Sequence, residues 1–170
     1  MISRQSRVSG QRGLTLVELM IVIAIIGIIS TMATPLFMTF LRAMETHGAS
    51  QELATLLNQA RQLAIATNSK YRVEIEPDNN RLRFVQSTDG GTSYSLPQPP
   101  VPGTDGQGYR RLENQARLSS VTIDPPRFTF NHLGTANAGT ITVQDSKSSS
   151  SLNVVISSMG RIRICPPNCP

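Results

Sequence analysis

The chain has 170 residues, which is enough for one domain with a core but excludes a large multi-domain enzyme. Its 39% apolar and 16% charged residues exclude both a disordered tail and a polytopic membrane protein. The net charge is +5, but Arg4, Arg7 and Arg12 all precede the first acidic residue. Without them thirteen basic residues face eleven acidic ones, so any argument for an acidic partner depends on where the charges lie.

A charge-free stretch of 23 residues, 19–41, follows the basic N-terminus. As a helix it would be about 34 Å long, which is enough to cross a bilayer. Because Lys and Arg flanking a span stay on the cytoplasmic side, the remainder of the chain is predicted to be exported to the periplasm. A signal peptide cleaved after Ala33 is the alternative. Glu18 disfavours it, since a carboxylate in an apolar helix costs about 2.5 to 3.5 kcal/mol and requires a partner.

Residues 13–19, Gly-Leu-Thr-Leu-Val-Glu-Leu, resemble the processing site of type IV pilins and of secretion pseudopilins. The resemblance implies cleavage after Gly13 by a prepilin peptidase and N-methylation of Leu14, where the family usually has phenylalanine. It also implies that Glu18 of one subunit pairs with the N-terminal amine of its neighbour in a filament. Pro35 matches the proline at which pilin helices bend or melt on assembly.

Beyond Pro35, apolar residues recur at steps of three and four, which predicts that one amphipathic helix continues to about residue 67. Its packed face is formed by Leu53, Leu56, Leu57, Ala60, Leu63 and Ala64. The predicted domains are a cleaved leader (1–13), a transmembrane and filament-core helix (14–41) and a periplasmic head (42–170).

The head is predicted to be mostly antiparallel β structure that packs on the helix. Residues 71–75 and 81–85 alternate polar with apolar positions across the turn 77–80, which is typical of a hairpin. Residues 87–108 are rich in glycine and proline and are predicted to form a long surface loop. Further strands are predicted at 118–123, 127–131, 140–144, 152–157 and 161–164.

Three segments of the head, residues 52–61, 128–134 and 160–163, resemble the FimT/GspH group of minor pilins and pseudopilins. The resemblance implies an α+β, type IV pilin-like fold with a two-sheet head. It also implies a low-abundance subunit near the filament tip that associates with other pilins.

Catalytic and metal-binding motifs are missing from the sequence, and the chain is interpreted as a non-enzyme without cofactors. Two scattered histidines, His47 and His132, and two cysteines do not support a four-ligand zinc site. Cys165 and Cys169 lie four positions apart in an exported chain, which predicts a small disulfide loop; two free thiols are the alternative.

The candidate functional site is Gly160-Arg161-Ile162-Arg163. In a strand, Arg161 and Arg163 would share one face about 7 Å apart, and guanidinium groups suit phosphate oxygens. Gly160 would allow close approach, and Lys147 and Arg127 could assist. On spacing alone, protection of an edge strand is the favoured interpretation of the two arginines. The pattern resembles the DNA-contacting motif of FimT-type pilins, which implies binding to the backbone of double-stranded DNA.

The sequence therefore favours a FimT-like minor pilin that enters a type IV pilus and contacts DNA during natural transformation. A GspH-like pseudopilin of a type II secretion system, which contacts other pseudopilins or cargo, is the alternative. A structural pilus subunit without DNA affinity is a third possibility.

Overall fold

The computed structural model describes residues 15–112, 116–145 and 150–167. The chain divides into two compact units, with the boundary between residues 39 and 40. The elements are helix α1 (Leu16–Ala66) and strands β1 (Lys70–Glu76), β2 (Arg81–Ser87), β3 (Tyr109–Arg111), β4 (Arg117–Val121), β5 (Arg127–Phe130), β6 (Gly139–Gln144), β7 (Ser151–Ile156) and β8 (Ile162–Cys165), with a 3-10 turn at Pro77–Asn79.

In the N-terminal unit, α1 begins after Thr15. The Thr15 hydroxyl accepts a hydrogen bond from the backbone N–H of Glu18 (3.2 Å), which caps one of the free donors of the first turn. The helix continues through Pro35, and the large apolar side chains of this unit are exposed. Within the described residues, α1 is the one helix long and apolar enough to cross a membrane.

In the head unit, one face of α1 forms part of the core. Two polar residues on this face, Thr46 and Ser50, are fully buried, and their hydroxyls donate to carbonyl oxygens one turn earlier (3.3 and 2.8 Å). Burial therefore leaves neither hydroxyl unpaired. The predicted packed face is confirmed, with Leu63 half-buried and the rest buried. The buried residues of α1 are Thr46, Ala49, Ser50, Leu53, Leu56, Leu57, Ala60 and Ala64.

The first sheet has the strand order β3-β2-β1-β5, and every pairing is antiparallel. The predicted hairpin is confirmed as β1 and β2. Its turn ends at Asn80, which adopts a left-handed conformation with φ +50°. The Asn80 side chain donates to the carbonyl of Ala116 (3.0 Å) and accepts from the N–H of Leu118 (3.1 Å). This side chain therefore joins the hairpin turn to the start of β4, which belongs to the other sheet.

The second sheet has the order β4-β6-β7-β8 and is also antiparallel. Alternate residues of its strands are buried, as a sheet with one face on a core requires. The predicted α+β fold with two antiparallel sheets and one long N-terminal helix is thus confirmed. The buried apolar residues of this sheet are Leu118, Ile141, Val143, Val154 and Ile156.

Two features differ from the sequence prediction. Strand β3 was not predicted; it is three residues long and pairs with residues 81–83 of β2. The predicted loop 87–108 begins at the last residue of β2 and contains no further strand, but it is not wholly at the surface, because Val101 is only 4% exposed and belongs to the core. The ends of the other predicted strands differ from the observed ends by at most two residues.

Candidate functional site

The predicted arginine pair lies at β8, one of the two edge strands of the second sheet. Arg161 precedes the strand and Arg163 lies within it; both are exposed, whereas Ile162 and Ile164 are half-buried and pack against the core. In the β7 register, Ile164 lies opposite the buried Val154. Arg163 therefore belongs to the outer face of this sheet.

The surroundings of the pair contain little negative charge. Within the part of the chain that the structure describes, neither Arg161 nor Arg163 forms an ion pair. Beyond Asp124 the sequence has one acidic residue, Asp145, which is only 6% exposed. Among the described residues, the two guanidinium groups thus face solvent without a carboxylate partner.

The start of β8 is fixed by a contact between two glycines. Gly160 is buried with φ +73°, and a Cβ added to it would collide with the carbonyl oxygen of Gly134. That same oxygen accepts a hydrogen bond from Nε of Arg61 on α1 (2.9 Å). Gly134 itself has φ +78°. Gly160 therefore has a structural reason to be glycine, namely its conformation and the closeness of the Gly134 backbone.

This contact brings together the three segments on which the family resemblance rests. Arg61 belongs to the segment 52–61, Gly134 to 128–134 and Gly160 to 160–163. The sequence shows the segments but not their meeting, because Arg61 and Gly134 are 73 residues apart.

The proposed helper Arg127 lies on a different sheet from Arg163. It lies on β5 of the first sheet, where its Nε is 3.5 Å from a carboxylate oxygen of Glu74. Its charge is therefore partly matched by a neighbour. The second helper, Lys147, lies outside the described residues.

The residues predicted for processing and cross-linking are only partly described. Gly13, Leu14 and Cys169 lie outside the described residues. Glu18 is exposed in the first turn of α1, and Cys165 ends β8. The disulfide and the processing roles stay predictions.

A second group of arginines, which the sequence analysis did not single out, lies on the outer face of the first sheet. Arg72 stacks on the ring of Tyr94 (3.5 Å to the centroid), and Arg81 stacks on Tyr109 (3.9 Å). Arg81 also donates from Nε to Oε2 of Glu76 (2.6 Å). This hydrogen bond is the main reason why the pKa of Glu76 lies below its ordinary value.

The sequence did carry a signal for this second group. Glutamates on β1 and arginines on β2 occupy the half-buried, outward-facing positions of one hairpin, and the register places Glu76 opposite Arg81 and Glu74 opposite Arg83. Opposite charges at such cross-strand positions attract each other. Arg83 additionally donates from Nε to the carbonyl of Gln107 (3.0 Å).

The two histidines have no shared site. His47 lies on α1 and His132 lies in the turn between β5 and β6, and both are exposed. No group of three or more His, Cys, Asp or Glu side chains that could hold a metal ion is found among residues 15–112, 116–145 and 150–167.

The long helix with its two-sheet head and the N-terminal motif define a type IV pilin-like protein. Residues 8–34 match the prokaryotic N-terminal methylation motif. Residues 49–160 match the family model of the type II transport protein GspH, so the chain belongs to the GspH family. The apolar helix and the family together indicate membrane anchoring, association with other pilins and assembly into a pilus or pseudopilus.

Solved structures with the same fold come from both kinds of filament system. The minor pseudopilin EpsH of the Vibrio cholerae type 2 secretion system has 17% sequence identity and a TM-score of 0.56, with 74% of this chain and 99% of that one covered. The Pseudomonas aeruginosa type IV minor pilin FimU has 20% identity and a TM-score of 0.53, with coverages of 75% and 92%. At such identities the likeness shows the fold alone.

One curated relative matches over a short segment. The type IV major alpha-pilin of Moraxella bovis is 48% identical over 46 residues, which are 27% of this chain. The match spans 29% of that pilin's length.

Proposed function

We propose that this protein is a FimT-like minor pilin of a type IV pilus and that it contacts DNA non-specifically through Arg161 and Arg163 during DNA uptake. The observation that supports this proposal is the exposed pair of arginines, without an ion-pair partner among the described residues, on the outer strand of a sheet. Guanidinium groups keep their charge at all relevant pH values and bind phosphate oxygens with two parallel hydrogen bonds.

The two arginines, Arg161 and Arg163, allow the strength and the sequence dependence of DNA binding to be predicted. Arg161 and Arg163, with some help from Lys147 or Arg127, would neutralise two to four phosphates, so the slope of log affinity against log salt should be about −2 to −4. Arg127 contributes less because Glu74 lies beside it. Contacts to phosphates carry no sequence information, so binding should be weak and independent of sequence.

Measuring this slope tests the proposal. The full chain, purified in detergent, is titrated against a fluorescently labelled duplex at several salt concentrations. Weak binding with a negative slope in the expected range supports the proposal. No binding at low salt would contradict it, and the secretion pseudopilin would then be the better assignment.

The pseudopilin remains the second candidate because the family model is that of a type II transport protein and one similar structure is a minor pseudopilin of a type 2 secretion system. In that function the head would contact other pseudopilins or cargo rather than DNA. The two functions share the same route into a filament.

That route is proposed to begin with cleavage after Gly13 and N-methylation of Leu14 by a prepilin peptidase at the inner membrane. Glu18 would then pair with the N-terminal amine of a neighbouring subunit, and Pro35 would let the helix adapt on assembly. The leader (1–13), the membrane and filament-core helix (14–41) and the periplasmic head (42–170) would be the functional divisions of the chain.

The variant Glu18→Ala and a variant with Gly13 substituted should be blocked at different steps of processing and assembly. Mass spectrometry of membrane-extracted protein should find an uncleaved N-terminus after the Gly13 change, because the peptidase requires a small residue there. Glu18→Ala should be cleaved but should not enter filaments, because the charge pairing between subunits is lost. A native N-terminus at Thr34, as signal peptidase would produce, would contradict the proposed processing.

A further inference from the structure

Exposed apolar side chains of the head lie close to the arginine pair. Beyond Met44, the described residues include three large apolar side chains with high exposure: Ile65 (48%), Leu133 (73%) and Met159 (72%). All other large apolar residues in this part of the chain are at least half-buried. An exposed apolar cluster on a soluble surface is a candidate interaction site.

These side chains surround the glycine contact described above. Leu133 immediately precedes Gly134, and Met159 immediately precedes Gly160. A Cβ added to Gly134 would lie 2.9 Å from Cδ1 of Ile65, so this side chain is adjacent to the same point. We name Leu133 and Met159 the apolar tip, since they occupy two adjoining turns of the head.

Hydrogen bonds fix both turns of the apolar tip. In the first, the side-chain oxygen of Asn131 accepts from the N–H groups of Leu133 (2.9 Å) and Thr135 (3.2 Å). In the second, the N–H of Gly160 donates to the carbonyl of Ser157 (2.8 Å). The turns are also joined to each other, because a backbone bond of 3.0 Å connects residues 136 and 158. Because the backbone of both turns is already fixed, binding through Leu133 and Met159 costs little backbone entropy.

The charges beside the tip are positive. Arg161 follows Met159 by two residues, and Arg163 continues along the same strand. The segment that contains the tip, residues 125–167, includes a single acidic residue, the buried Asp145. A complementary partner is therefore anionic and carries apolar surface directly beside its negative charges. A DNA strand has this combination, since every nucleotide carries a base close to its phosphate.

We propose that the apolar tip contacts the bases of a DNA strand whose phosphates are held by Arg161 and Arg163. This inference rests on the proposed function and adds to it a preference for DNA whose bases are accessible. Leu and Met side chains serve as apolar wedges against bases in other DNA-binding proteins. In an intact duplex the faces of the bases are stacked on each other, so the tip favours single-stranded segments and frayed ends over duplex DNA.

An abasic strand separates contacts to bases from contacts to phosphates. Fluorescence anisotropy of the full chain in detergent, at one low salt concentration, compares a labelled single strand with a strand of equal length that lacks bases. The parent should bind the strand with bases about fivefold more tightly, as burial of one or two methylene-sized contacts would give. The double variant Leu133→Ser with Met159→Ser should bind both strands as the parent binds the abasic one.

His132→Ser is the matched control, because it changes an exposed polar residue in the same turn as Leu133 and should keep the preference of the parent. Thermal melting checks that each variant is folded. Equal binding of both strands by the parent would overturn the inference and leave the proposed phosphate contacts standing. Failure to bind any DNA would overturn both. If the double variant kept the preference but no longer entered filaments, the tip would be a contact between pilins, and the inference would be wrong.

Discussion

The arginines of the two sheets have different surroundings although both groups lie on exposed strand faces. On the first sheet, Arg81 and Arg83 contact carboxylates of β1 and the ring of Tyr109. On the second sheet, Arg161 and Arg163 form no ion pair within the described residues, and the outer face around Arg163 carries neutral polar residues such as Thr142 and Asn153. The arginines of the first sheet are engaged by contacts within the protein. Among the described residues, Arg161 and Arg163 have no such ion pair and are available to a partner.

The comparison teaches that the number of arginines is a poor guide to an anion-binding surface. The first sheet has more of them, but their hydrogen bonds and ring contacts hold the sheet together. The second sheet has fewer, and their backbone is fixed by the contact between Gly160 and Gly134 while the side chains remain in solvent. A fixed backbone with unpaired cations is the better arrangement for binding phosphates.

The largest expected effect comes from Gly160→Ala, which disturbs the backbone that carries the second group. The new Cβ would meet the Gly134 carbonyl oxygen, and a left-handed φ is unfavourable for alanine. We expect the free energy of unfolding to fall by about 3 kcal/mol. Chemical denaturation of the full chain in detergent measures this change.

Gly90→Ala is the matched control. Gly90 has a similar φ of +78°, but nothing lies within 4 Å of an added Cβ. Its cost should be that of the backbone conformation alone, about 1 kcal/mol. If the two variants were equally stable, the Gly160 contact would not hold β8, and the contrast between the sheets would lose its structural basis.

Two double variants, one on each sheet, test the contrast directly and should show the next largest effect. Arg161→Gln with Arg163→Gln should weaken DNA binding at least about tenfold and leave stability unchanged, because the side chains face solvent. Arg81→Gln with Arg83→Gln removes the same charge but should lower the melting temperature by a few degrees, because ion pairs and ring contacts are lost.

DNA binding of the first-sheet variant should fall by less than about twofold, since its arginines are already engaged. Anisotropy titrations and thermal melting of the three proteins, the parent and the two double variants, provide the comparison. If the first-sheet variant lost the affinity and the second-sheet variant kept it, the DNA site would lie on the first sheet, and Arg161 and Arg163 would be edge protection.

The sequence predicted regular elements well and long-range contacts poorly. The hairpin of β1 and β2 follows from local alternation around a turn, and the buried face of α1 follows from its spacing of apolar residues. Strand β3 was missed because Tyr109, Arg110 and Arg111 have no apolar alternation, so its strand conformation depends on pairing with β2. The meeting of Gly134 and Gly160 was missed for the same reason, since it joins turns that belong to different strand pairs.

The candidate site was predicted as a pattern but not as a surface. The alternation of residues 161–164 indicated which side chains face outward, and the structure has this arrangement. Alternation could not tell that Arg127 lies on the other sheet beside Glu74, because sheet membership depends on the order in which strands pair. The alternation also could not show that the turn with Leu133 adjoins the turn with Met159.

The smallest expected effect is the loss of folding stability at acidic pH. It arises from carboxylates of the first sheet and of the loop that follows β2. The pKa of Glu76 is below its ordinary value of 4.5, mainly through the hydrogen bond from Arg81, and the pKa of Asp89 is lowered from 3.8, mainly by the hydroxyl of Ser87. Both carboxylates therefore bind protons less readily in the folded chain than in the unfolded one. Their stabilisation is complete above the ordinary pKa values and is lost as the pH falls below them.

Melting temperatures measured from pH 6 down to pH 3 should therefore decline in the parent. Glu76→Gln should make the decline shallower, and the part that remains belongs to Asp89 and the other carboxylates. The double variant of Arg161 and Arg163 should decline as steeply as the parent, because neither arginine holds a carboxylate among the described residues. A shallower decline in that variant would reveal an acidic partner for the pair, and the second sheet would then resemble the first in having its arginines engaged within the protein.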